Sequence, residues 1–385
     1  MPFVLYLLAL AVFAQGTSEF MLAGLVPDIA ADLGVSIPAA GALTSAFAVG
    51  MVIGAPTMAV LSLRWPRRRA LLVFLLTFLV VHAVAAVTSS FPVLVATRVI
   101  GALANAGFLA VALAAAAAIA GPSAKGRATS ILIGGVTLAC VAGVPAGALL
   151  GRMWGWRAAF WAVVLISIPA VIAIARSIPG TTSPAPVPPR ARQELRTLRS
   201  PRLAATLLAT ALLNGATFCT FTYLASVVTE VAGFRAGWVP VMLALFGLGS
   251  FAGITLSGRL ADTRPVPLLL IGGTLLLLGW AVFGLAAGNA AATVVLVLVQ
   301  GTLSFAVGST LITQVLYAAS GAPALGGAFA TTALNVGAAI GPWLGGLAIG
   351  AGSDYRLPLW VSACLVALAL AVTASSALRR AAEPQ

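Results

Sequence analysis

"VLYLLALAVFAQGTSEFMLAGLV", residues 4–26, is the stretch on which the fold turns. It is 23 residues of almost unbroken apolar sequence with a single charge, Glu19. About 20 apolar residues suffice for a helix to cross a bilayer. A carboxylate inside such a run costs about 2.5–3.5 kcal/mol on insertion scales, so Glu19 calls for a reason.

The rest of the chain repeats the pattern. Of its 385 residues 61% are hydrophobic and 8% charged, with a mean hydropathy of +1.11. Soluble domains carry about 25% charged residues, and no soluble packing could hide this much apolar surface. The fold class is therefore an all-α polytopic membrane protein. Breaks at Pro, Gly and charge predict spans near 4–26, 39–61, 70–88, 91–119, 128–150 and 158–177. A second set is predicted near 204–226, 239–261, 268–287, 290–318, 326–350 and 357–378.

The net charge of +13 raises nucleic-acid binding, but position decides against it. Sixteen basic residues fall in loops on one side of the spans, and four, Arg152, Arg157, Arg235 and Arg356, on the other. The positive-inside rule then puts both termini in the cytoplasm of a multi-pass bacterial membrane protein. Asp28, Asp32, Glu230 and Asp354 collect on the outer side; Asp28 and Asp32 are candidates for helix capping. No cleavable signal peptide is expected, because no Lys or Arg precedes the first run. His82 is the single histidine, which excludes a histidine-cluster metal site, and the absence of a Walker-type loop argues against ATP. Cys140, Cys219 and Cys364 have no metal-like spacing and read as small core residues.

Residues 179–203 form the longest hydrophilic stretch. "PGTTSPAPVPPR" is a Pro-rich linker, and "ARQELRTLRSPR" after it predicts a short basic helix on the inner leaflet. The stretch divides the chain into a six-span bundle at 1–178 and another at 204–385. "FAVGMVIGAPTMAVL" (47–61) aligns without gaps on "FGLGSFAGITLSGRL" (246–260), sharing Phe, both glycines and the final Leu. Together these features predict a duplicated transporter.

Several motifs resemble the major facilitator superfamily. "GRLAD", Gly258 to Asp262, followed by Arg264, resembles its loop motif. The first-half counterpart "AVLSLRWPRRR" keeps Leu61 and Arg64 but has Ala59 and Leu63 where Gly and Asp are expected. The resemblance implies a conformational latch at Asp262, Arg259 and Arg264. "GAAIGPWLGG", with Gly337, Gly341 and Pro342, resembles the glycine–proline signature of drug:proton antiporters. "GVPAG", with Gly143, Pro145 and Gly147, is a variant of it in the fifth span.

"GTSEFMLAGLVPDIAADLGVS", "IGALANAGFLAVAL", "GVPAGALLG", "GWRAAFW" and "GSTLITQVLYAASGAP" are similar to bacterial chloramphenicol-resistance exporters of that twelve-helix antiporter family, nearly end to end. This implies a major facilitator fold of two six-helix bundles around a midplane substrate site. It also implies proton-coupled export of amphenicol-like drugs by alternating access, with no enzymatic chemistry. No cofactor is expected beyond the proton gradient. The expected partners are the drug, protons and the lipid bilayer, not nucleic acid, and the chain is expected to be a monomer. Export of sugars or other metabolites, or of a wider range of drugs, is the alternative.

Glu19 lies about 22 Å along a helix rising ~1.5 Å per residue, with Gln15 one turn earlier on the same face. It is the candidate proton carrier; the other reading is a neutral carboxyl gluing two helices. Arg98 in the fourth span is the second intramembrane charge, with Asn105 two turns on. The family resemblance links that arginine to proton transfer, whereas a snorkelling arginine would reach outward instead. His82 reads as a packing residue. In the second half the candidates for lining the substrate cavity are neutral: Asn214, Phe218, Phe221 and Thr222 on the seventh span, and Gln300 and Ser304 on the tenth. With Gln15, Glu19 and Asn105 they suit a neutral aromatic molecule bearing hydroxyl and amide groups.

Overall fold

The computed structural model describes residues 3–62, 65–120, 125–178, 196–261, 263–320 and 326–382. Among these it is helical with no strand, and twelve helices are long and apolar enough to cross a membrane. They are Phe3–Gly24, Ile37–Met58, Arg67–Val87, Phe91–Ala116, Gly134–Trp154 and Trp156–Ser177, then Pro201–Thr222, Ala236–Leu260, Pro265–Ala286, Ala290–Ala318, Gly326–Gly352 and Leu357–Ser375. All twelve expected spans are present. Leu63, Arg64 and Asp262, and with Asp262 the latch expected from the loop motif, lie outside the described residues, as does 179–195 of the expected linker.

The chain divides into two compact units, Met1–Val187 and Pro188–Gln385. In the first, one apolar cluster gathers Leu5, Leu8, Phe74, Phe108 and Leu132, and a second gathers Met21, Leu25, Phe78, Leu94 and Phe160. The first helix is not continuous over 4–26. It ends at Phe20, tightens into a 3-10 turn at Met21–Gly24 and restarts as Val26–Leu33. Pro27 explains this, because it cannot donate a backbone hydrogen bond and disfavours helical geometry just before it.

Glycines set how the helices pair. Gly50 and Gly54 of the second span lie on the fourth: a Cβ at Gly50 would come within 2.8 Å of the Val99 carbonyl, and one at Gly54 within 3.0 Å of Ala106 Cβ. In the second unit Gly249 and Gly253 of the eighth span lie in the same way on the Leu298 and Thr302 carbonyls of the tenth. These are the glycines that align at 47–61 and 246–260, so the internal repeat is a repeated helix contact. The fifth span puts Gly135, Gly143, Gly147 and Gly151 against the first, where a Cβ would meet Ala9, Thr17, Met21 and Leu25 in turn. A π-turn at Ala139–Gly143 ends where Pro145 removes a donor. The eleventh span repeats the arrangement, with Gly337 and Gly341 on the Ala211 and Gly215 carbonyls of the seventh.

Three expectations need correction. The described end of the basic stretch is a single 3-10 turn, Arg196–Arg199, and the seventh helix already begins at Pro201, a residue suited to a first helical turn. Of the cysteines only Cys219 is buried; Cys140 is half-buried and Cys364 is on the outside of its helix. Asp32 is not a cap: it accepts from Arg157 Nη1 at 2.5 Å and from Trp156 Nε1 at 3.2 Å. Arg157 also reaches the Thr88 carbonyl at 2.9 Å, tying the ends of three helices together.

Candidate functional site

In the first unit Arg98 and His82 converge on Ser18. Arg98 is 1% exposed, far from snorkelling, and donates from Nη1 to Ser18 Oγ at 2.9 Å and from Nη2 to the Ser18 carbonyl at 3.0 Å. Its guanidinium lies 4.3 Å from the centre of the Phe47 ring, which offers a π-face to the cation. His82, read from sequence as a packing residue, is 2.5 Å from Ser18 Oγ through Nε2 and 2.7 Å from the Phe78 carbonyl through Nδ1.

Glu19, the next residue after Ser18, is partly buried, and its carboxyl makes no hydrogen bond or ion pair among the described residues. It is close enough to Arg98 for the two charges to act on each other. The reading of Glu19 as a bonded polar glue therefore finds no partner for it. Gln15 is buried with both amide atoms unpaired, and the Thr17 hydroxyl is likewise buried and unpaired. Asn105 is turned to the second span, where its amide donates to Met51 Sδ at 3.6 Å.

The second unit places its candidates in two kinds of setting. Asn214 is committed, donating to the Leu334 carbonyl at 2.6 Å and so tying the seventh span to the eleventh. Phe218, Phe221, Phe246 and Phe305 form a chain of ring contacts, the tightest being Phe221–Phe246 at 4.8 Å. Thr222 Oγ1, Gln300 Oε1 and Ser304 Oγ are buried and unpaired. Gln300 gives its amide N–H to the Leu276 carbonyl of the ninth span at 3.2 Å, in space that only Gly279 leaves free. Leaving a buried acceptor or hydroxyl unmatched costs about 1–3 kcal/mol. Such atoms suit a polar ligand or ordered water.

Of the conformational residues, Gly143, Gly147, Gly337 and Gly341 are close-contact positions, and Pro342 offers its carbonyl to the Tyr223 hydroxyl at 2.8 Å. Gly258 faces open space, and Arg264 closes the turn before the ninth helix with its backbone N–H on the Leu260 carbonyl. Among the described residues no group of His, Cys, Asp and Glu could hold a metal ion. Ser18, His82 and Phe47 are residues that the sequence did not assign to the site around Arg98. The available signals were that Ser18 adjoins the intramembrane acid and that His82 is the sole histidine.

The sequence model of the Major Facilitator Superfamily matches residues 8–332. The chain belongs to the major facilitator superfamily. This facilitator is 56% identical over 374 residues to a chloramphenicol resistance protein of Streptomyces lividans, covering 97% of this chain and 95% of the relative. It is 31% identical over 352 residues to a chloramphenicol efflux pump of Mycobacterium tuberculosis, covering 89% and 85%. Its fold matches that of a bacterial homologue of the human lysosomal transporter Spinster, solved inward-facing and unoccupied, with a TM-score of 0.75 at 16% identity over 96% and 94% of the chains. This facilitator is thus a multi-pass membrane transporter by family.

Proposed function

We propose that the chain exports chloramphenicol and related amphenicols across the bacterial cytoplasmic membrane in exchange for protons, by alternating access. Both termini are cytoplasmic in this reading, and the working unit is a monomer. The observation that carries it is Glu19: an unpartnered intramembrane carboxyl beside the buried Arg98, in a superfamily member 56% identical to a chloramphenicol resistance protein.

An acid without a fixed partner can take a proton from one side and release it to the other, which a carboxylate locked in a salt bridge cannot do. Each proton entering is worth about 2.3 kcal/mol per 100 mV of membrane potential. Antiport requires that drug and proton disfavour each other's binding, a negative coupling between their sites. The unpaired hydroxyls and amide oxygen on the seventh and tenth spans, with the phenylalanine chain beside them, offer hydrogen bonds and ring faces to an uncharged aromatic drug.

The test is chloramphenicol accumulation in cells expressing the chain, with and without a protonophore, for wild type and Glu19→Gln. Low accumulation that rises when the gradient collapses, and is high in Glu19→Gln regardless, supports proton-driven export. Wild-type cells that accumulate as much drug as empty-vector cells overturn the substrate, and a panel of sugars and unrelated drugs is then assayed. Export that survives in Glu19→Gln removes the proton role from Glu19.

A further inference from the structure

Ser18, His82 and Arg98 form one hydrogen-bonded chain with a direction. A carbonyl can only accept, so the 2.7 Å contact with Phe78 places a proton on His82 Nδ1. In the neutral ring Nε2 is then a lone pair, and Ser18 must donate to it across 2.5 Å. A guanidinium can only donate, so the same Ser18 oxygen accepts from Arg98 at 2.9 Å. The order runs from Arg98 through Ser18 and His82 to the Phe78 carbonyl. It links the first, third and fourth spans.

The chain is held in place. The His82 ring lies 3.9 Å from Phe78 and 5.8 Å from Phe160, centre to centre. A Cβ on Gly101 would sit 3.5 Å from His82 Cε1, so the fourth span closes the other side. The remaining titratable groups around the network are Glu19 on the first span and Cys140 on the fifth. The second span and the middle of the sixth bring none.

The anomaly is where the guanidinium goes. A buried arginine next to a carboxylate gains most from a two-pronged, charge-assisted pair. Arg98 instead bonds the neutral hydroxyl and carbonyl of the residue before Glu19. We propose that Ser18 and His82 are positioning residues for proton coupling: they hold Arg98 on Ser18 and off the Glu19 carboxyl, leaving Glu19 able to take up and release its proton. Remove the Ser18 hydroxyl, or the acceptor that orients it, and Arg98 is free to pair with ionised Glu19. The proton site is then locked while the drug pathway remains.

This inference rests on the proton-coupled reading above, and its test separates the two. Purified protein in liposomes is assayed for chloramphenicol counterflow at equal pH on both sides, which needs no net proton movement, and for uptake driven by a pH gradient. Ser18→Ala and His82→Leu are expected to keep counterflow within about twofold of wild type and to lose at least tenfold of gradient-driven uptake. His82→Gln, whose side-chain oxygen falls near the place of Nε2, and Ser18→Thr are expected to restore it. Gradient-driven uptake that is unchanged in Ser18→Ala overturns the proposal. So does a parallel fall of both activities in all four variants, the mark of a merely structural role. A wild type that shows counterflow but ignores the gradient defeats the proton-coupled reading itself and this inference with it. If His82→Leu does not fold, Ser18→Ala and its threonine counterpart decide the matter.

Discussion

Gly341 of the eleventh span lies directly on the carbonyl of Gly215 in the seventh, with the Gly215 Cα 3.0 Å from where a Cβ on residue 341 would stand. Four residues earlier Gly337 sits on the Ala211 carbonyl, and four later Gly345 meets Cys219 and Tyr223. Spacing by fours keeps one face of the helix free of side chains, and the two backbones close on each other by packing alone. Gly341→Ala therefore meets main chain, which no rotamer change can relieve. It is expected to cost about 1–3 kcal/mol, within the range for overpacking. Gly258→Ala, where a Cβ meets nothing within 4 Å, is expected to be neutral. Thermal unfolding in detergent measures both, and equal loss in the two variants would remove the packing argument.

This pair also shows what could be read in the sequence. A run of about 20 apolar residues has only one way to satisfy its backbone in lipid, so the twelve spans were legible with small errors at their ends. The aligned glycines of 47–61 and 246–260 announced a repeat, and the structure gives it a content in Gly50, Gly54, Gly249 and Gly253. Glu19 and Arg98 stood out because charge is expensive in a membrane. The residues bonded to Arg98 did not. Ser18 and His82 are 64 residues apart, and Arg98 is 80 from Ser18. Nothing local in a serine, or in one histidine among apolar residues, tells which helix face meets which. Gln300 shows the same limit: nothing local in it tells that its amide N–H goes to the Leu276 carbonyl of the ninth span while its amide oxygen stays unpaired.

The Asp32–Arg157 ion pair carries a pH prediction. The bonds from Arg157 and Trp156 hold the Asp32 carboxyl below its ordinary 3.8. Lowering a carboxyl in this way adds stability that is complete above the ordinary value and lost as pH falls through the lowered one. Both side chains are partly exposed, so solvent screening limits the contribution to about 0.2–1 kcal/mol. Asp32→Asn is expected to lower the unfolding midpoint by the same small amount at pH 8 and pH 5, with the gap to wild type closing only below the carboxyl's ordinary range. A gap that closes between pH 8 and pH 5 would assign the effect to some other group.

Asn214 and Ser304 make opposite predictions although both were expected to line a substrate cavity. The Asn214 amide is spent on the Leu334 carbonyl at 2.6 Å, so Asn214→Ala breaks a tie between two helices and leaves that carbonyl one donor short. About 1–3 kcal/mol of stability is expected to go with it. The Ser304 hydroxyl is buried without a partner, so Ser304→Ala removes an unmet polar group and is expected to leave the unfolding midpoint unchanged or slightly raised. If that hydroxyl serves the drug, Ser304→Ala raises KM several-fold while kcat holds, since a contact made equally in the bound and transition states affects binding alone. Midpoints and chloramphenicol transport kinetics on the same preparations give both answers. An unchanged KM in Ser304→Ala takes Ser304 out of the binding site, and an Asn214→Ala protein as stable as wild type would mean that the Leu334 contact does not hold the two helices.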